Sequence, residues 1–210
     1  MNKAVRASDY LRHMLEGIER IDRHTSLKNT GACGLTLLVD KRNAINYENF
    51  SISLARTLAN RPDSWIQEMC FGNGGAQVSG TGTITYLPPN VVGQTAELYN
   101  QTYYKVVDDQ SPLDLDPAQN FESTSHVDGA TFTDVIVTCT LGLGEPAGQD
   151  AFDTANNITG TYVFNELGLR AYSTNGPNTG RLLTHVIFSP VQKSLNRQIQ
   201  IVYTIRIQTV

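Results

Sequence analysis

The sequence predicts a mainly β fold, an antiparallel β-sandwich or jelly-roll-like domain with an N-terminal helical appendage. Beyond Trp65, stretches of β-branched and aromatic residues alternate with turn-forming stretches such as PPN and NGPNTG, and no helical pattern separates them. The last stretch, 198–208, alternates apolar and polar residues with period two, as an antiparallel strand with one face on a core does. We therefore predict a helical attachment segment over 1–64 and a β-sandwich domain over 65–210.

The composition suits a protein that packs against other proteins rather than one that coats nucleic acid. The chain has 210 residues, of which 17% are charged, below the average of about a quarter for soluble domains. Its net charge is -4 and its basic residues are scattered, which argues against phosphate binding. No apolar run reaches the ~18 residues of a membrane helix, and charges throughout residues 1–20 predict no secretory signal.

An amphipathic helix is predicted near the N-terminus, over residues 10–22. Its apolar residues recur at helical spacing, and Ser8 or Asp9 is available as the N-cap. A short helix standing alone is marginal in water, so this apolar stripe needs a partner. The partner is either the helix's own domain or a neighbouring subunit, and both alternatives stay open.

One strand and a second helix are predicted before the β-rich part. Residues 30–40 place apolar side chains at every second position from Cys33 to Val39, which predicts a single strand. Apolar residues at helical spacing from Tyr47 to Leu58 predict a helix, which the Arg61–Pro62 pair ends.

Six strands are predicted beyond Trp65, with 108–129 as the longest loop. Four aspartates make this loop acidic, and DLDP at 114–117 resembles the start of a calcium loop. The calcium pattern breaks at Ala118, so a solvated loop is favoured. The six strands are predicted over 81–87, 96–107, 133–141, 161–169, 181–188 and 198–208.

The stretch FGNGGA at 71–76 predicts a tight turn between strands. Its glycines suggest a phosphate cradle, but Gln77 replaces the third glycine of the GxGxxG pattern, and no P-loop lysine follows. The residues after it predict a strand rather than a helix whose N-terminus would hold an anion. Gly72 and Gly74 are therefore predicted to be structural.

The stretch FNELGL at 164–169 places one acid, Glu166, in an otherwise apolar run. Such a carboxylate is either catalytic or structural. In a structural role it accepts hydrogen bonds that fix a strand end or a subunit contact. No second acid lies close enough in sequence to form a catalytic pair. Strict alternation would put Glu166 on the face of Phe164 and Gly168, opposite Leu167. The structural role is favoured, and no catalytic residue is predicted.

The cysteines and histidines predict neither a metal site nor a nucleophile. No CxxC pair is present, so the cysteines are interpreted as reduced thiols in apolar strands. No G-x-S-x-G elbow marks a nucleophilic serine. His185 is predicted to make a sheet contact rather than act as a base, His24 is assigned to the helical part, and His126 to the acidic loop. We expect no cofactor and no metal. The cysteines are Cys33, Cys70 and Cys139.

Four motifs occur together in residues 65–210. They are FGNGG from Phe71, LYNQTYYKVV at 98–107, FNELGL at 164–169 and LLTHVIFSPVQKSLNRQIQIVYTIRI at 182–207. As a set they resemble tailed-bacteriophage virion structural proteins. Members of that group share an F-G-x-G-G turn, an E-[IL]-G-L strand after a variable loop, and two closing strands linked by a lysine-bearing turn. Here that turn corresponds to 190–196, with Lys193 in it.

The resemblance implies a non-enzymatic subunit of the virion, assembled in the host cytoplasm. It implies binding to other virion proteins at the neck, collar or tail, and a homo-oligomer is expected. From the charge and the lack of a long apolar run, neither nucleic acid nor a membrane is expected as a partner. The alternative is a decoration protein that reinforces the capsid lattice. A third alternative, a carbohydrate-binding or hydrolysing sandwich, needs exposed aromatic residues beside paired acids, and adjacent Tyr103 and Tyr104 cannot share one face of a strand. The candidate assembly residues are Leu11, Leu15, Ile18, Gly72, Gly74, Glu166, Gly168 and Lys193.

Overall fold

The structure is a computed structural model, and it describes residues 24–31, 34–146 and 161–208. The predicted mainly β, antiparallel fold class is confirmed, because the described residues form twelve strands and one helix and every strand pairing is antiparallel. The elements are β1 (His24–Gly31), β2 (Gly34–Lys41), β3 (Ala44–Ile45), α1 (Tyr47–Leu58), β4 (Ile66–Gly72), β5 (Ala76–Val78), β6 (Ile84–Tyr86), β7 (Gln101–Val106), β8 (Phe121–His126), β9 (Phe132–Leu141), β10 (Thr161–Ala171), β11 (Leu182–Ser194) and β12 (Gln198–Gln208).

The strands form two five-stranded sheets and a separate hairpin. The first sheet has the order β2-β1-β12-β9-β8, the second has the order β3-β11-β10-β4-β7, and β5 pairs with β6 alone. One buried apolar cluster contains residues of both sheets, with Tyr203 and Leu141 from the first and Phe71 and Phe164 from the second. Since the inward faces of both sheets contribute to one core, the arrangement is that of a β-sandwich.

The closing strand β12 has the predicted bounds and the predicted alternation. Its core-facing residues Ile199, Ile201 and Tyr203 are each 0% exposed, whereas Gln200 and Val202 between them are half-buried. β12 lies in the centre of the first sheet, between β1 and β9. A central strand with one core face explains why its sequence pattern is so clear.

The predicted helix is confirmed as α1. Asn46 caps it, because the Asn46 side chain accepts a hydrogen bond from Asn49 N–H at 3.0 Å. Phe50 is buried in the sandwich core, and the Asn49 side-chain amide donates to the Leu182 carbonyl at 3.0 Å. These contacts attach the helix to the second sheet. Within the described part of the chain, no helix has the length and apolar character needed to cross a bilayer.

Several strands differ from the prediction. Residues 30–40 do not form one strand, because β1 and β2 form a hairpin in which Gly31 pairs with Gly34. β8 occupies part of the predicted acidic loop and ends at His126; it is a largely exposed strand at a sheet edge, so it lacks an apolar alternation. β4 was not predicted because it is buried on both faces, which also removes the alternation.

The predicted boundary between residues 64 and 65 does not separate two units within the described residues. β1 pairs with β12, and β3 pairs with β11, so strands from before and after this boundary share both sheets. His24 begins β1 and is not helical. The helix predicted over residues 10–22, with Leu11, Leu15 and Ile18, lies outside the described residues.

A bulge in the second sheet changes which side chains face the core. The register between β10 and β11 shifts between Phe164 and Glu166. Phe164 therefore lies in the core together with Leu167, whereas Glu166 faces away from the core. The predicted alternation, which placed Glu166 on the face of Phe164, is wrong for this reason.

Candidate functional site

The outer face of the second sheet carries buried polar residues where β4, β10 and β11 lie side by side. Glu166 pairs with Gly72 of β4, and Gly168 pairs with His185 of β11. The turn after β4 and the segment just before β7 fold over this face, since Asn73 N–H donates to the Asn100 carbonyl at 3.1 Å. The structure thus brings the FGNGG and FNELGL motifs into one site.

The Glu166 carboxylate accepts four hydrogen bonds and is 0% exposed. Its Oε1 atom accepts from Gly74 N–H at 2.9 Å and from Asn100 N–H at 2.8 Å. Its Oε2 atom accepts from Tyr99 N–H at 3.0 Å and from His185 Nε2 at 2.9 Å. A carboxylate offers about four lone-pair positions, so none is left for a substrate.

His185 is fully buried, and both of its ring nitrogens are engaged. Asn90 N–H donates to Nδ1 at 2.9 Å, so Nδ1 carries no proton. The proton therefore resides on Nε2, which donates it to Glu166. The ring also packs against Tyr99, with the ring centroids 5.6 Å apart. His185 is a neutral hydrogen-bond donor here and has no free nitrogen with which to act as a base. Its predicted role in a sheet contact agrees with this geometry.

The charge on Glu166 is stabilised by its hydrogen bonds. Burial alone would raise the pKa of this carboxyl, but hydrogen bonds from His185, Asn100, Tyr99 and Gly74 together hold its pKa below the usual value. Glu166 is therefore ionised at neutral pH. A catalytic acid would need the opposite shift, and a catalytic base would need a free lone pair.

The glycines of the FGNGG turn allow the close approach that this site needs. A Cβ at Gly72 would lie 2.5 Å from Glu166 Oε1, and a Cβ at Gly74 would lie 2.7 Å from Asn100 N. Neither glycine has a positive φ, so space rather than backbone conformation requires them. The prediction that both are structural agrees with these contacts.

The remaining predicted residues lie at two different places. Gly168 is beside Glu166, and a Cβ there would lie 2.6 Å from Leu182 Cδ1. Lys193 was predicted to lie in a turn. It lies inside β11 instead, because the strand continues to Ser194. Lys193 is 1% exposed, its Nζ donates to the Ser194 carbonyl at 3.0 Å, and burial lowers its pKa. Lys193 makes no hydrogen bond to the Glu166 site.

A second buried charged group continues the same face and was not predicted. Arg170 is 3% exposed, donates to the Gly180 carbonyl at 2.7 Å and forms an ion pair with Glu97. Opposite it in the sheet, Glu68 accepts from Asn178 N–H at 2.9 Å, and burial raises the pKa of this carboxyl. These partners come from separate loops, and no spacing in the sequence indicates them.

The described thiols form no nucleophile, and no metal-binding group is found among the described residues. Cys70 and Cys139 are buried, as predicted, and burial raises the pKa of each thiol to about 12, so neither forms a thiolate nucleophile. Cys33 lies outside the described residues. Over 24–31, 34–146 and 161–208, no three His, Cys, Asp or Glu side chains are grouped so that they could hold a metal ion.

The chain is thus an antiparallel β-sandwich. At its candidate site, the buried Glu166 and His185 side chains hydrogen-bond to segments of the same chain that cover them. Comparisons of the chain with protein-family models, with curated proteins and with solved structures give no match. The resemblance to tailed-phage virion proteins therefore stays a prediction that rests on the sequence motifs.

Proposed function

We propose that this chain is a non-enzymatic structural subunit of a tailed-phage virion, and that it binds other virion proteins at the neck, collar or tail. One observation carries the proposal: groups of the chain itself engage the four lone-pair positions of the Glu166 carboxylate and both ring nitrogens of His185, the pair from which an acid–base site would be built. Two of the motifs that carry the resemblance, FGNGG and FNELGL, meet at this pair. Their shared role as a structural support is consistent with an assembly protein.

The outer face of the first sheet supplies a surface on which copies of the chain associate. Ile136 of β9 and Val202 of β12 lie on this face and are half-buried, although their neighbours Val137 and Tyr203 face the core. An Arg206–Asp134 ion pair, 2.8 Å between Nε and Oδ1, follows on the same face. Apolar and polar side chains are thus mixed, as they are on surfaces that bind protein partners. A closed symmetric homo-oligomer is the expected result.

A charge in the middle of this face tests the proposed interface. We expect Val202→Asp to convert the oligomer into a monomer, because a carboxylate at a buried contact would lie without a partner. Light scattering coupled to size-exclusion chromatography measures the mass, and circular dichroism checks that the variant folds. Leu115→Asp is the matched control, since Leu115 is 95% exposed in a loop and its replacement should leave the mass unchanged. An unchanged mass in both variants would exclude this face as the interface.

A further inference from the structure

An acidic cleft of about 510 Å³ lies beside the start of β4, away from the Glu166 site. The lining consists of an aromatic wall and a wall that carries carboxyl groups, and none of the described residues that line the cleft is basic. The carboxyl groups belong to Asp108, Asp109 and Glu122. A cleft with this charge distribution favours a cationic ligand.

The aromatic wall is rigid and open to solvent. Trp65 and Tyr172 stack with ring centroids 4.4 Å apart and planes 13° apart, and Trp65 is 42% exposed. Trp65 Nε1 donates to Asp108 Oδ2 at 3.1 Å, and Tyr172 N–H donates to the Trp65 carbonyl at 2.8 Å. Rigid aromatic surfaces of this kind attract cations through the ring quadrupole.

Glu122 brings a half-buried carboxyl group into the cleft. Its Oε1 atom is buried and has no hydrogen-bond partner, and no ion pair neutralises it within the described part of the chain. Burial, together with the charges of Asp108 and Asp109, raises the pKa of Glu122 to about 8. In the empty cleft this carboxyl group is therefore largely protonated at neutral pH, and a bound cation would favour its ionised form.

Gln67 adds a polar side chain to the lining of the cleft. It lines the cleft and is only 4% exposed, yet its side-chain amide forms no hydrogen bond within the described residues. Its backbone carbonyl is occupied by Val107 N–H at 2.8 Å. Unlike Glu122 Oε1, the amide atoms of Gln67 are not completely buried, so they can hydrogen-bond to a ligand that enters the cleft.

We propose that the cleft binds the guanidinium group of an arginine side chain from another protein chain. A guanidinium is planar, stacks on aromatic rings and donates two parallel hydrogen bonds to a carboxylate, so it matches both walls at once. A lysine ammonium has no plane to stack, and a neutral sugar would leave the carboxyl groups unneutralised. Charge complementarity thus selects the ligand. The source of the arginine, a partner in an assembly, rests on the proposed function, whereas the chemistry of the cleft does not.

The sole tryptophan of the chain is Trp65, so its fluorescence reports directly on this cleft. We expect a saturable fluorescence change when the full-length protein is titrated with N-acetyl-arginine amide at constant ionic strength. The uncharged N-acetyl-citrulline amide has nearly the same shape and should produce no change. Glu122→Gln should weaken arginine binding about tenfold, since a charge-assisted hydrogen bond is lost. The matched control Asp128→Asn removes a charge from an exposed turn residue after the same strand and should bind as wild type does.

The following outcomes would overturn the proposal. Equal responses to the arginine and citrulline amides would mean that charge is not recognised. Saturation by a soluble cello-oligosaccharide without a response to arginine would assign the cleft to sugars. Tighter binding of free L-arginine than of the blocked amide would indicate a metabolite site. The mass of the same sample separates this test from the proposed function, because a monomer that still binds arginine amide contradicts the assembly role and leaves the cleft's chemistry standing.

Discussion

A buried carboxylate persists in a protein interior only where hydrogen bonds replace its hydration. Glu166 meets this condition with three backbone N–H groups and His185. These donors lie in the turn after β4, in the segment before β7 and in β11, so one side chain joins three parts of the chain. The residue that the sequence singles out as a possible catalyst is thereby the residue that fixes the covering loops.

Replacing the carboxylate tests this role. We expect Glu166→Gln to lower the free energy of unfolding by roughly 2–4 kcal/mol, because the new amide NH₂ would face a backbone N–H and leave buried groups unpaired. Urea denaturation measures the loss. The matched control Asp128→Asn changes an exposed carboxylate in the turn after β8 and should alter stability by less than about 0.5 kcal/mol. Equal losses in both variants would contradict the structural role.

The difference in stability between wild type and Glu166→Gln is expected to depend on pH. The folded pKa of Glu166 is lowered, so the unfolded chain takes up its proton at a higher pH than the folded chain does. The stabilisation is therefore complete above the unfolded value, about 4.5, and is lost as the pH falls through the folded value. The difference in stability between wild type and Glu166→Gln should accordingly shrink on acidification below this range.

At the scale of elements, the FGNGG turn needs glycine because a side chain there would collide with the Glu166 site. Gly72→Ala would place a Cβ 2.5 Å from Glu166 Oε1, and we expect a loss of roughly 2–4 kcal/mol in unfolding free energy as the site is displaced. Gly80→Ala is the matched control, because Gly80 lies in the turn between β5 and β6 with no atom within 4 Å of the added Cβ. Thermal unfolding compares the two, and an undisturbed Gly72→Ala protein would refute the steric account.

The sequence predicts those strands and helices in which core-facing and outward-facing positions recur at a regular spacing. β12 and α1 each have one face on the core, so their periodicities are visible. β8 is a polar edge strand and β4 is buried on both faces, and neither environment produces an alternation. The bulge after Phe164 reverses the alternation without any local sequence signal, since it arises from pairing with β11.

The site itself is only partly predictable, because it also depends on contacts between distant parts of the chain. Glu166 and the two turn glycines are visible in the sequence because an acid in an apolar run and closely spaced glycines are unusual. The donors to Glu166 are mainly backbone N–H groups of Gly74, Tyr99 and Asn100, which every residue except proline possesses. Only the folded chain shows which of them are near.

At the scale of the whole molecule, the described residues use their buried polar groups to hold a β-sandwich and its loops together. Mixed polar and apolar side chains remain on the outer face of the first sheet, and an acidic cleft lies beside β4. Both features are suited to protein partners. Both features support the proposed role as a component of an assembly.

Quantitative mass spectrometry of phage particles purified from cells in which this chain is expressed tests the proposed virion role most directly. The account predicts that the chain is present in a fixed, small copy number that is a multiple of its oligomeric state, as in a neck, collar or tail. Hundreds of copies would instead indicate capsid decoration. Absence of the chain from intact particles, despite its expression during infection, would contradict the account.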